Sequence, residues 1–85
     1  MARIVRSFRG ISKRAARMYL EGLGGTALND DEVEGNDWHA TLSADTVEIG
    51  PSLTLTEVTI TFEGSEPQLT ELIELFEKKA IRAGG

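Results

Sequence analysis

Positive and negative side chains occupy separate segments of this chain. All 14 Asp and Glu residues lie between Glu21 and Glu77, and this stretch contains neither Lys nor Arg. The 9 Lys and Arg residues fall into an N-terminal group that ends at Arg17 and a C-terminal group that begins at Lys78. Because segments of opposite charge attract each other in a folded chain, this pattern favours a structure in which basic segments meet the acidic middle.

The length and composition of the chain limit the kinds of site that it can form. Its 85 residues predict a single domain over residues 1–85, with a small core in which every large apolar side chain counts. The chain contains no Cys and a single His, His39, so disulfides, thiolate metal sites and multi-histidine metal sites are excluded. We therefore expect neither a metal nor a cofactor.

The same data limit the partners. A net charge of −5 argues against DNA or RNA, because phosphate contacts require a basic surface. No apolar run approaches the ~20 residues of a membrane span, and no segment has the pattern of a secretion signal. We expect a cytoplasmic protein that binds a second copy of itself, as a homodimer, or another protein.

The N-terminal third predicts a strand followed by a helix. Residues 2–8 alternate as a strand, and the charge of Arg6 on the side of Ile4 and Phe8 indicates either an edge strand or a contact between Arg6 and a carboxylate. Ser12 is a good N-cap for a helix over residues 13–23, and the glycines that follow end that helix.

The middle of the chain predicts a loop and then a hairpin. Residues 26–37 are polar and acidic, which indicates a loop with at most a short strand around residues 27–28. Residues 38–43 alternate as a half-buried antiparallel strand, and residues 47–49 predict a separate short strand as its hairpin partner.

The C-terminal third predicts a long strand and a long helix. Apolar residues change parity near Thr56 within residues 53–63, which predicts a β-bulge or a break into two strands. Ser65 and Pro67 suit the start of a helix that extends to about Ala83. Its apolar stripe consists of Leu69, Leu72, Ile73, Phe76 and Ala80. The predicted class is α+β: one strand, a helix, three or four antiparallel strands and a second helix, with both helices on one face of the sheet.

A cluster of basic residues around the first helix is a candidate anion site. It consists of Arg9, Lys13, Arg14 and Arg17, and the first turn of a helix offers N–H groups to an anion. The alternative is that these side chains face the acidic middle of the chain or solvent.

The open face of the predicted sheet is a candidate interface. His39, Thr41, Thr59 and Thr61 have the parity opposite to the buried side chains, so they form a polar row on that face. A small domain gains from burying more area, which favours a dimer surface, and a solvated face is the alternative. No pattern marks a nucleophile beside a base, so an enzyme that uses His39 and a carboxylate is the weakest hypothesis.

The last two residues, Gly84 and Gly85, suggest a third kind of site. Ubiquitin-like sulfur carriers also end in Gly-Gly, which enters an activating enzyme that adenylates the terminal carboxylate. A predicted helix extends almost to Gly84, so a glycine that ends a helix is the competing interpretation.

Several segments together resemble a known family. These segments are Gly10-Ile11-Ser12, Tyr19-Leu20-Glu21-Gly22-Leu23-Gly24-Gly25, Trp38-His39-Ala40-Thr41-Leu42-Ser43, Ile49-Gly50-Pro51-Ser52-Leu53, Leu55-Thr56-Glu57-Val58 and Lys79-Ala80-Ile81-Arg82-Ala83-Gly84-Gly85. The chain resembles a small archaeal family that is similar to a stand-alone C-terminal domain of MoaD-related proteins. The resemblance implies a TATA-binding-protein-like fold with a curved antiparallel sheet. In larger relatives this domain follows a ubiquitin-like sulfur-carrier domain.

Three functions are consistent with these observations. The first is a non-enzymatic interaction module, accessory to molybdopterin or sulfur-carrier pathways. The second is a sulfur-carrier or conjugation protein that acts through Gly85, and the third is an anion-binding protein.

Overall fold

The computed structural model describes the backbone of residues 1–84 and the side chains of residues 1–81. Five strands form one open antiparallel sheet in the order β1-β5-β4-β3-β2, and two helices complete an α+β fold. The elements are β1 (Ala2–Arg9), α1 (Lys13–Gly22), β2 (Thr26–Asn29), β3 (Glu32–Gly35), β4 (Trp38–Glu48), β5 (Thr54–Gly64) and α2 (Glu66–Gly84). No helix in the described part of the chain is long and apolar enough to span a membrane.

Both ends of α1 follow from local sequence signals. The Ser12 side chain accepts a hydrogen bond from the Ala15 N–H at 3.0 Å, as an N-cap does. Gly24 adopts a left-handed φ of 102°, and the Gly25 N–H donates to the Leu20 carbonyl at 3.0 Å. Only glycine adopts this conformation without strain, so the predicted glycine stop is confirmed.

The core lies between the two helices and one face of the sheet. Phe76 of α2 is fully buried and makes edge-on contacts with Phe8, Tyr19 and Phe62, whose ring centroids lie 4.9, 6.0 and 6.3 Å away. The other residues of the predicted α2 stripe are buried as well. The α2 helix packs on β1 and β5, while α1 packs on β2, β3 and β4.

The predicted loop over residues 26–37 is wrong, because this segment forms the β2–β3 hairpin. Each strand has only four residues, and Val33 is the one fully buried side chain among them. The turn is stabilised by the Asp31 N–H, which donates to the Asn29 side chain at 2.8 Å. Strands this short have so few inward-facing residues that the sequence shows almost no hydrophobic periodicity there.

The two interruptions predicted in the second hairpin are also wrong. β4 continues without a break from Trp38 to Glu48, and β5 pairs with it in one continuous register from Thr54 to Gly64. The change of parity near Thr56 has a different cause. The side chains before it belong to the part of the hairpin that extends past the core, and there the apolar residues point to the other face of the sheet.

A glycine in the β3–β4 turn provides a test of this packing. A Cβ atom at Gly35 would overlap the indole ring of Trp38, whereas a Cβ at Gly50 would contact nothing within 4 Å. We expect Gly35→Ala to reduce the free energy of unfolding by about 1–3 kcal/mol through overpacking. Gly50→Ala is the matched control and should stay within about 0.5 kcal/mol of the parent. Denaturant unfolding checks both values, and equal stability of the two variants would contradict the packing described here.

Candidate functional site

The sheet face opposite the helices, here called the open face, is the candidate site. Side chains at odd positions of β1, β4 and β5 point to it, since the even positions of β4 and β5 supply core residues. His39, Thr41, Thr59 and Thr61 all lie on this face. Thr41 pairs directly with Thr61, so the structure brings the predicted residues together.

Small hydroxyl side chains cover the centre of the open face. The row at the level of Thr59 contains Ser7 and Ser43 in the neighbouring strands, and the Ser7 and Thr59 hydroxyl oxygens lie 3.2 Å apart. Side chains of this size leave the centre without long projecting groups. A second sheet can therefore pack face to face against this centre.

Charged side chains surround this hydroxyl centre. One row of neighbouring side chains crosses four strands, in the order Arg3 (β1), Glu63 (β5), His39 (β4) and Glu34 (β3). The positive charge of Arg3 lies beside the negative charge of Glu63, and His39 lies between Glu63 and Glu34. At the other end of β1, Arg9 Nε donates to Glu57 Oε2 at 2.9 Å. The basic side chains therefore lie at the β1 edge, and carboxylates predominate toward β3.

His39 forms the most specific polar contact on this face. Its Nε2 lies 3.0 Å from Glu32 Oε2, and the Asn29 amide donates to Glu32 Oε1 at 3.3 Å. The bond from Asn29, and then the bond from His39, lower the pKa of Glu32. An open depression beside this pair is lined by Glu34, Glu63 and Trp38 among others, so the pair lies at the rim of the face and in contact with solvent.

Three of the four predicted anion-site residues have carboxylate partners in the structure. Lys13 pairs with Asp31, and Arg17 Nη1 lies 2.8 Å from Asp30 Oδ1, which ties α1 to the β2–β3 turn. Arg9 lies on the open face with Glu57, and Arg14 is exposed on α1. An anion at Lys13 or Arg17 would compete with these carboxylates. Anion binding remains a prediction, and the contacts favour the alternative in which these side chains meet the acidic middle.

The sequence analysis missed an apolar group at the far end of the open face. Four apolar side chains, here called the hairpin row, lie at odd positions at the end of the β4–β5 hairpin: Val47 and Leu55 in the strands, and Ile49 and Leu53 in the turn between them. Leu55 pairs with Val47, and the Ile49 N–H donates to the Leu53 carbonyl at 2.8 Å, so the four form one group. The parity change near Thr56 was the available signal, because it marks apolar residues that turn away from the core.

The candidate carrier terminus is only partly described. The α2 helix includes Gly84, and Gly85 lies outside the described residues. The residues before Gly84 are therefore helical.

The lowered pKa of Glu32 predicts how stability depends on pH. Because the folded-state pKa lies below the unfolded-state value, the ionised carboxylate stabilises the fold above the unfolded-state pKa. This contribution is lost as the pH falls through the folded-state pKa. We expect Glu32→Gln to lower the Tm at neutral pH by a few degrees, and the difference from the parent to vanish in acid. Thermal unfolding by circular dichroism checks this, with Glu34→Gln on the same face of β3 as the control. A difference that persists in acid would contradict it.

Comparison with known proteins assigns the chain to a family. The family model described as archaeal MoaD-like protein matches residues 4–85, which is almost the whole sequence. A search of curated proteins finds no match. The match agrees with the resemblance carried by the segments around Gly10, Gly24, Trp38 and Gly50. The chain therefore belongs to the archaeal MoaD-like protein family.

Proposed function

We propose that this chain is a non-enzymatic protein-interaction module that binds its partner through the open face, in a pathway connected with molybdopterin or sulfur-carrier proteins. The observation that carries the proposal is the exposure of one whole face of a five-stranded sheet, because both helices pack on the opposite face. The family assignment supports the connection with MoaD-related pathways.

The composition of the open face supports a protein partner. The exposed fractions of Val5, Ile49, Leu53 and Leu55 are 50%, 45%, 56% and 37%, and these side chains share the face with the hydroxyl centre. Apolar groups gathered on one face of a small domain, with charged residues around them, are typical of protein interfaces. Small molecules usually bind in enclosed apolar cavities, and the small hydroxyl side chains at the centre of this face suit a protein partner better.

The element order supports the fold that the resemblance implies. One strand, one helix, four antiparallel strands and a final helix form the β-α-β4-α order expected of a TATA-binding-protein-like domain, and we infer this fold for the chain. Domains of that kind can present their sheet to a partner. A domain that binds its partner through its sheet can act as an accessory subunit without catalysing a reaction itself.

A substitution in the centre of the open face tests the proposal. We expect Thr61→Arg to abolish or strongly weaken partner binding, because a long charged side chain there holds a second surface away from the sheet. The tagged chain is used to capture partners from an archaeal host extract, and the amount of each captured protein is measured. Untagged copies of the chain itself count as a partner. Thr70→Arg is the matched control, since Thr70 is exposed on α2. Equal capture by both variants would mean that the open face is not the contact.

A sulfur carrier that acts through Gly85 is the second candidate, and the family assignment is the observation that favours it. The helix that includes Gly84 disfavours it, because the residues before the glycine would have to unwind first. We expect intact-mass spectrometry of the chain purified from an archaeal host to find an ordinary carboxylate terminus. A thiocarboxylate mass that disappears when Gly85 is deleted would establish the carrier instead.

A further inference from the structure

We propose that the partner on the open face is a second copy of this chain, related by a two-fold axis that is parallel to the strands and passes between β4 and β5. This inference rests on the proposed function, because it names the occupant of the same face. Its support is that the charged side chains at one end of the open face and the hairpin row at the other end each become complementary to themselves under this one symmetry operation.

The geometry of the operation follows from the sheet register. A two-fold axis parallel to the strands turns the second sheet face to face with the first and leaves each cross-strand row at its own height. It reverses the strand order, so β5 lies over β4 of the second copy and β1 lies over β3. Each row of one copy therefore lies over the same row of the second copy, with its residues in the opposite order. This is the isologous contact that a two-fold dimer requires.

The charged row becomes complementary in this arrangement. Read across the sheet, the row is Arg3, Glu63, His39 and Glu34. Reversed and placed over itself, it brings Arg3 over Glu34 of the second copy and Glu63 over His39 of the second copy. Both kinds of contact occur twice. The long side chains of Arg3 and Glu34 can span the offset that results from the ~30° between two aligned sheets.

The hydroxyl and apolar rows match themselves as well. Thr61 comes over Thr41 of the second copy, and Thr59 comes over Ser43. In the hairpin row, Leu55 comes over Val47 and Leu53 over Ile49, so the two exposed apolar groups cover each other at one end of the interface.

Two rows oppose the arrangement. Val5 comes over Glu32 of the second copy, which places an exposed apolar side chain against a carboxylate. In the other row, Glu57 comes over Asp45 of the second copy, and like charges that face each other are unfavourable. Arg9 reduces this repulsion, because it already lies 2.9 Å from Glu57 at the same level. This row contributes no attraction, so the arrangement depends on the charged row and on the hairpin row at the two ends.

The alternative two-fold axis, in the plane of the interface and perpendicular to the strands, lacks this complementarity. It places each strand over itself, so Arg3 and Arg9 of the two β1 strands come together and the carboxylates of the two β3 strands come together. It also sends the two hairpin rows to opposite ends. Charge and apolar contact therefore both favour the axis parallel to the strands.

The open face is large enough for such an interface. In this arrangement β2 has no strand opposite it, so the overlap comprises β4, β5 and the parts of β1 and β3 that face each other. Its flat footprint is roughly 500 Å² per copy, and the accessible area is larger because side chains project from the sheet. A standard interface buries about 800 Å² per partner, so the proposed interface lies near the lower limit for stable complexes.

Charge exchange within one chain tests the proposed symmetry. Arg3 and Glu34 lie on strands separated by β5 and β4, so they cannot contact each other within one copy, and a direct contact between them requires the second copy. We expect Arg3→Glu and Glu34→Arg each to raise the dimer dissociation constant roughly tenfold or more, because each places like charges in contact. The double variant restores opposite charges and should return to within a few-fold of the parent.

Sedimentation and light scattering over a concentration series measure these constants. Arg14→Glu makes the same charge change on exposed α1 and is the control for Arg3→Glu. A second, uncharged test compares Leu53→Ser on the hairpin row, which should weaken the dimer, with Leu75→Ser on α2, which should not. Circular dichroism confirms that each variant is folded before its constant is used.

The outcomes separate this inference from the proposed function. A dimer that is weakened by both single exchanges and restored by the double exchange supports it. A parent chain that stays monomeric at every concentration, or a dimer that neither exchange weakens, overturns it. If the dimer is overturned but Thr61→Arg abolishes the capture of a different protein, the proposed interaction module is supported with that protein as its partner. If Thr61→Arg abolishes the capture of no protein, both proposals are wrong.

Discussion

The packing of α2 across β1 and β5 is the contact on which the rest of the structure depends. Phe76 lies at its centre and touches an aromatic ring from β1, from α1 and from β5. In a chain of 85 residues no second core can replace it. This helix and α1 occupy one face of the sheet, and no other element within residues 1–84 covers the opposite face.

The separation of charge along the chain has a local structural role. Lys13 and Arg17 of α1 contact the aspartates of the β2–β3 turn, so the basic N-terminal segment meets the acidic middle as the sequence pattern indicated. Exposed ion pairs of this kind contribute only about 0–1 kcal/mol each. Their effect is therefore on orientation: they hold a short hairpin with a single fully buried side chain, Val33, against the helix.

The elements that could be predicted are those with strong local signals. The caps and glycines of α1, the stripe of α2 and the alternation of β1 each depend on residues within a few positions of one another. The β2–β3 hairpin could not be found in this way, because its strands are short and its outward residues are acidic. The continuity of β4 and β5 was missed for a related reason. A change of parity indicates an interruption only on the assumption that every apolar residue in a strand faces the core.

That assumption fails where the sheet is longer than the helices that cover it. The 11 residues of β4 span about 37 Å, whereas the 19 residues of α2 span about 28 Å. The end of the hairpin therefore extends past the helical layer, and polar side chains such as Thr46 and Thr56 occupy its helix side. An apolar row on the opposite side of this extension cannot stabilise the monomer core. Its position on the same face as the hydroxyl centre is the reason we propose that this face contacts another molecule.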